Sequence, residues 1–122
     1  MKIFVYGTLM RGEGNHSLLS SGSTQFLGEA VTKRGFTLYD LGAFPGMVKG
    51  GSGAVIGEIY EVTKATLTHL DYLEGHPQFY RREMIKLQDG TSLQSYILND
   101  AFIQDCTVIK SGDWRKSDLI MK

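Results

Sequence analysis

The stretch AVIGEIYEVTKATLTHLDYLEGHP, residues 54–77, decides the fold class, because two periodicities meet in it at a single threonine. Ala54 to Val62 is largely apolar, with Val55 and Ile59 at even spacing. It reads as a long strand, and Gly57 inside it predicts a bulge or a close backbone approach. Thr63 is suited to accept a hydrogen bond from a first helical turn, and Leu67, Leu70 and Leu73 beyond it recur at helical spacing. A strand feeding a capped helix points to an α+β domain. At about 100° per residue Glu74 falls inside the leucine stripe, while Asp71 falls nearer its edge. A carboxylate held against leucines is poorly hydrated, which raises its pKa toward values useful for proton transfer. The pair Glu74-Gly75 also reads as a plain helix end, with Gly75 as a left-handed cap and Glu74 turned to water. The segment alone supports both.

Upstream, Ile3 to Tyr6 is a short apolar and aromatic run that reads as a buried first strand. It opens into Gly7-Thr8-Leu9-Met10-Arg11-Gly12-Glu13-Gly14, a glycine-punctuated loop, with Asn15 placed to cap a short helix through Leu18 and Leu19. Phe26 to Val31 and Gly35 to Tyr39 look like a strand pair. Ala43 to Gly46 reads as a turn into Met47-Val48, and Gly50 to Gly53 as a flexible connector. Downstream, Tyr80 to Leu87 and Leu93 to Leu98 flank Asp89-Gly90, which predicts a hairpin with a two-residue primed turn. The tail through Trp114 has no clear period. Roughly six or seven short strands with two helices imply an α+β fold or a closed sheet with helices outside.

The bulk properties exclude several functions. The chain has 122 residues and 13.6 kDa, with 13 Lys+Arg against 13 Asp+Glu. That is one domain, residues 1–122, with no charge footprint of a nucleic-acid or anionic-membrane binder. Fifteen glycines against two prolines suit a β-rich chain with many tight turns. The apolar start breaks at Gly7 without a signal-peptide core, and no stretch approaches transmembrane length. The lone Cys106 excludes an internal disulfide, fits a reducing cytoplasm and reads as a buried, inert thiol. No oligomeric state beyond a monomer or weak dimer is implied.

The glycine loop is the next candidate for chemistry. A nucleotide-binding loop would need Lys and Ser or Thr after Gly12, whereas Glu13 stands there and would repel phosphate. The dinucleotide fingerprint fails on spacing. A small anion pocket suited to a carboxylate remains, beside the reading as an ordinary surface loop. His16, His69 and His76 never fall at metal-ligand spacing, so no metal is expected. Tyr6, Tyr60, Tyr72, Tyr80 and Tyr96 read as core residues with satisfied hydroxyls, one or two of them lining a pocket.

Val5-Tyr6-Gly7-Thr8-Leu9 with Gly12 and Asn15 resembles the opening of the γ-glutamylcyclotransferase-like family, in particular its γ-glutamylamine cyclotransferase branch and small bacterial, AIG2-like relatives. Further blocks are similar in the right order: Phe44 to Val48, Val55 to Val62, Leu70-Asp71 with Glu74-Gly75, Pro77, Tyr80 and Arg82, and Ser111-Gly112-Asp113-Trp114. Together they span nearly the whole chain. The resemblance implies a small closed mixed β-barrel with flanking helices and a cavity between the first loop and the end of the acid-bearing helix. It implies that the backbone of Tyr6, Gly7, Thr8 and Leu9 holds the α-carboxylate of a γ-glutamyl substrate. It implies Glu74 as general base and then acid, with Tyr80 and Tyr96 shaping the pocket or holding the substrate. The products would be 5-oxoproline and a free amine or amino acid, formed without a cofactor. The alternative is a binding module that keeps the barrel and the anion pocket for a small carboxylate or acyl ligand. Which γ-glutamyl compound is used is not written in these motifs.

Overall fold

In the computed structural model, which describes residues 1–19 and 23–116, Thr63 caps the helix as its position implies. Its hydroxyl accepts the Thr66 N–H at 3.1 Å and starts α1, Lys64–Leu73. The other helical pieces among the described residues are short 3-10 turns, at His16–Leu19, at Asp100–Phe102 and at residues 114–116. Asn15 precedes the first of these, and its side-chain amide donates to Thr8 Oγ1.

Eight strands form two sheets: β1 Lys2–Val5, β2 Gln25–Val31, β3 Phe36–Asp40, β4 Pro45–Lys49, β5 Ile56–Glu61, β6 Tyr80–Lys86, β7 Ser92–Leu98 and β8 Thr107–Val108. The larger sheet runs β2-β5-β1-β7-β6 and the smaller β4-β3-β8. Only β1 against β7 is parallel in these ladders. The apolar run at the start of the chain is explained by burial on both faces. Ile3 and Val5 pack in one core with Leu67 and Leu70 of α1, while Phe4 packs in a second core with Leu38 and Met47 of the smaller sheet. The alternation follows the pleat.

The expected closed barrel is not formed. The outer strands of the larger sheet meet only at one end, through the bridge between Thr32 and Leu87. Just beyond β2 the Thr32 hydroxyl accepts the Val55 N–H at 2.9 Å and donates to Lys33 O at 2.8 Å, which ties the chain to the start of β5 at the end of the ladder. Phe26 to Val31 and Gly35 to Tyr39, expected as a pair, are strands of different sheets. β2 pairs with β5, and β3 with β4 and β8. The close approach expected at Gly57 is real, since an added Cβ would lie 2.3 Å from Val5 O. The bulge sits across the ladder, between Phe26 and Gly28 of β2.

Three local expectations need correction. The turn expected at Ala43 to Gly46 lies earlier, where Leu41 N–H bonds Phe44 O, and Pro45 and Gly46 already belong to β4. Pro45 is tolerated as a first strand residue because no ladder bond is asked of it. The hairpin of β6 and β7 is present, but Gly90 N–H bonds Leu87 O and Leu87 N–H bonds Thr91 O. The loop is therefore the three-residue Gln88-Asp89-Gly90 with Gly90 left-handed at φ 91°, rather than a two-residue primed turn. Cys106 is half-buried rather than buried, with its thiol 3.6 Å from Phe102 O. Among the described residues no helix is long and apolar enough to cross a membrane.

Candidate active site

Where β1 ends, the chain turns through Tyr6 to Met10 instead of continuing in the sheet. Met10 N–H returns to Gly7 O at 3.0 Å, and Asn15 N–H and side-chain amide hold Thr8 O and Thr8 Oγ1, each at 2.9 Å. The turn leaves the N–H groups of Gly7, Thr8 and Leu9 without a protein acceptor among the described residues. Successive unpaired amides in a turn carry partial positive charge and suit an anion. Gly7 is fixed by space, because a Cβ there would come within 2.8 Å of the Pro45 ring.

The second wall comes from the end of α1. Glu74 is its C-cap, with φ −83° and its N–H on Leu70 O at 2.9 Å, and the left-handed Gly75 ends the helix at φ 65°. Gly75 is the left-handed cap, but Glu74 is not turned to water as a plain helix end would have it: it lines the same cavity as the loop, about 350 Å³ in volume. That cavity gathers every expected site residue, Tyr6, Gly7, Thr8, Leu9, Glu74, Tyr80 and Tyr96. The leucine stripe is less regular than expected, since Leu67 and Leu70 are buried but Leu73 is 47% exposed at the cavity rim.

The Glu74 carboxylate has no hydrogen bond or ion pair among the described residues. Burial against apolar neighbours that include Leu70, Phe44 and Phe79 pushes its pKa up to about 7. Three residues earlier the environment is reversed. Burial also works against the ionised form of Asp71, but Arg82 binds both its oxygens at 2.8 and 2.9 Å and Tyr96 OH donates at 2.6 Å. These partners win and hold Asp71 below the ordinary aspartate range. Arg82 N–H in turn donates to His76 Nδ1 at 3.0 Å, which ties the Glu74 turn to β6. One carboxylate is locked as an anion and the other is poised to exchange a proton.

Tyr6, Tyr80 and Tyr96 serve as wall struts, whereas Tyr72, expected in the core, is 84% exposed. Tyr6 OH donates to Tyr96 O at 2.7 Å and accepts Met47 N–H at 3.0 Å, and Tyr80 OH donates to Pro45 O at 2.5 Å. Burial is the first cause that raises all three phenols, Tyr6, Tyr80 and Tyr96, so each stays protonated. Their hydroxyls are committed to protein acceptors, which leaves Glu74 as the titrating group in the cavity. Sequence reasoning missed the Asp71–Arg82 pair, which lies behind the cavity wall and holds the hydroxyl of Tyr96, a lining residue. The signal was present in the block holding both residues, but their contact crosses a turn. Among the described residues no group of three or more His, Cys, Asp or Glu side chains is placed to hold a metal ion.

An α+β scaffold with an unpaired carboxylate facing a turn of free amides defines a class of small-molecule site. Residues 3–116 match the family model described as gamma-glutamyl cyclotransferase, AIG2-like. The chain is 46% identical over 112 residues to a Vibrio cholerae protein carrying the gamma-glutamylcyclotransferase name, covering 92% of this chain and 93% of that one. The solution structure of protein YtfP from Escherichia coli is similar with a TM-score of 0.74 and 35% identity, over 97% of this chain and 99% of that one. An AIG2-like protein from Mus musculus is similar with a TM-score of 0.70 and 34% identity, over 83% and 77%. The chain therefore belongs to the gamma-glutamylcyclotransferase, AIG2-like family.

Proposed function

We propose that the protein is a γ-glutamyl cyclotransferase that releases 5-oxoproline and a free amine or amino acid, with Glu74 as the proton shuttle. The observation that carries this reading is a carboxylate with a pKa of about 7 lining one cavity with three loop amides, none of them with a partner among the described residues. The loop amides of Gly7, Thr8 and Leu9 hold the substrate's α-carboxylate. Glu74 takes a proton from the α-ammonium group, and the freed amine attacks the γ-glutamyl carbonyl carbon.

The new bond joins the α-nitrogen to that carbon, and the bond from the carbon to the leaving nitrogen breaks. The α-nitrogen loses two protons and the leaving nitrogen gains two, so charge is conserved, with Glu74 carrying protons between them. Nucleophile and electrophile share one molecule, so holding the chain bent supplies much of the acceleration and no redox cofactor is called for. A carboxylic acid near its midpoint at neutral pH can both accept and return the proton, which an ordinary glutamate near 4.3 does poorly. Asp71, fixed as an anion by Arg82, braces the wall through Tyr96 rather than sharing in proton transfer.

The test is 5-oxoproline release from a panel of γ-glutamyl amines and dipeptides, with Glu74→Gln alongside. Gln keeps the shape but cannot take the proton, so activity should fall by a factor of about 100 or more. Turnover surviving in Glu74→Gln removes Glu74 from the chemistry. Binding of γ-glutamyl compounds without product from any of them would leave a binding module on the same scaffold.

A further inference from the structure

Outside the cavity, the described residues hold a second concentration of charge, centred on Glu58, whose side chain is 0% exposed. Its carboxylate accepts Arg11 N–H at 2.9 Å and Tyr60 OH at 2.9 Å through Oε1, while Oε2 lies 3.4 Å from both Arg11 Nε and Arg115 Nη1. Burying a carboxylate this completely is costly unless it is paired and hydrogen-bonded. The mechanism above makes no use of it. Its position in the chain explains what it does.

Glu58 lies directly opposite Val5 in the β1–β5 ladder, and Val5 is the last residue before the turn of Tyr6 to Met10. The side chain of the same residue takes the N–H of Arg11, the first residue after that turn. Glu58 thus holds both ends of the anion-binding turn, one through backbone pairing and one through its carboxylate. A third party joins from the far end of the chain. Gly112 docks on the start of β5, where its carbonyl accepts Ile56 N–H at 2.8 Å and an added Cβ would lie 2.0 Å from Ala54 O.

That docking delivers two side chains to the loop. Trp114 Nε1 donates to Glu13 Oε1 at 3.0 Å, and Arg115 reaches Glu58 while its own N–H and Nε are held by Asp113 Oδ1 at 3.0 and 3.2 Å. We infer that Glu58, with the Ser111–Arg115 segment strapped across it, is the positioning device that sets the Tyr6 to Met10 turn for binding the substrate's carboxylate. This rests on the reading of that turn as the carboxylate site. The segment is then part of substrate affinity although none of it lines the cavity.

A positioning role makes a specific split in the kinetics, because the clamp acts on binding while Glu74 acts on the chemical step. Glu58→Gln still offers an oxygen to Arg11 N–H but no charge to Arg115. It should raise KM about tenfold, the scale of one weakened charge-assisted bond, with kcat within about twofold of wild type. Hydrogen exchange at the Met10 and Arg11 amides, which are bonded to Gly7 O and to Glu58, should speed up in the same variant. Arg115→Ala should act in the same direction, with Arg115→Lys recovering part of the loss, and this pair decides the matter should Glu58→Gln not fold. Variants that lower thermal stability but leave KM and loop exchange unchanged would overturn the clamp. A wild-type protein that makes no 5-oxoproline would refute the catalytic reading instead, and unchanged loop exchange in Arg115→Ala would then refute the clamp separately.

Discussion

At the scale of the residue, Glu74 is defined by what it lacks. Asp71, three positions earlier, has Arg82 and Tyr96 and stays ionised, whereas Glu74 has neither cation nor donor among the described residues and is raised to about 7 by burial. A folded-state pKa above the unfolded value means that the folded protein binds the proton more tightly. Stability is therefore lost as pH rises from about 4.5 to about 7, where the unfolded chain ionises first, and the cost is constant above that range. Replacing Glu74 by Gln removes this cost. Glu74→Gln should be more stable than wild type at pH 8, by up to about 3 kcal/mol, with the gain shrinking as pH falls and gone by about pH 4 in urea titrations. Equal stabilities at both pH values would show that Glu74 is not desolvated. Glu74 was legible as an anomaly because helical phase is local, counted from Leu67 and Leu70. Its partnerless state was not legible, because Arg82 and Tyr96 lie across a turn and could have reached either acid.

At the scale of the element, β1 and β5 carry the site between them. β1 delivers the turn at its end, β5 carries Glu58 opposite that point, and Gly57 lets the two strands and Phe4 approach closely. An alanine at Gly57 would place Cβ 2.3 Å from Val5 O and 2.7 Å from the Phe4 ring, both in the buried core. Gly57→Ala should destabilise by about 3 kcal/mol, checked by denaturant unfolding, and a change under about 0.5 kcal/mol would mean that the sheet yields easily there. The special role of Gly57 was readable from a glycine inside an apolar strand. The pairing of β2 with β5 was not, since a local hairpin is the natural expectation for two neighbouring runs. The β2–β5 ladder joins residues about thirty apart, and beyond its end Thr32 still bonds Val55 N–H, a contact no local spacing announces.

At the scale of the whole molecule, two cores on opposite faces of one sheet leave a cavity where the first turn, β4 and the end of α1 meet. The resemblance predicted this cavity correctly but not the open sheet around it, because closure depends on how β2 and β6 end and the motifs do not reach those ends. Among the described residues lining the cavity, Glu74 is the one charged side chain, and Leu18, Phe44, Leu73 and Phe79 make its outer part apolar. A leaving group with its own carboxylate would find no cation there and would face Glu74. A γ-glutamyl alkylamine should therefore exceed γ-glutamylglutamate in kcat/KM by about tenfold or more, and the reverse order would mean that the leaving group lies outside this wall. The most direct measurement is kcat/KM for 5-oxoproline release by the wild-type protein between about pH 5 and pH 9. The rate should rise through an apparent pKa of about 7, the value of Glu74 in the free protein, and level off above it until the substrate's own amine titrates. A profile flat across neutrality, or the same rise in Glu74→Gln, would contradict Glu74 as the base.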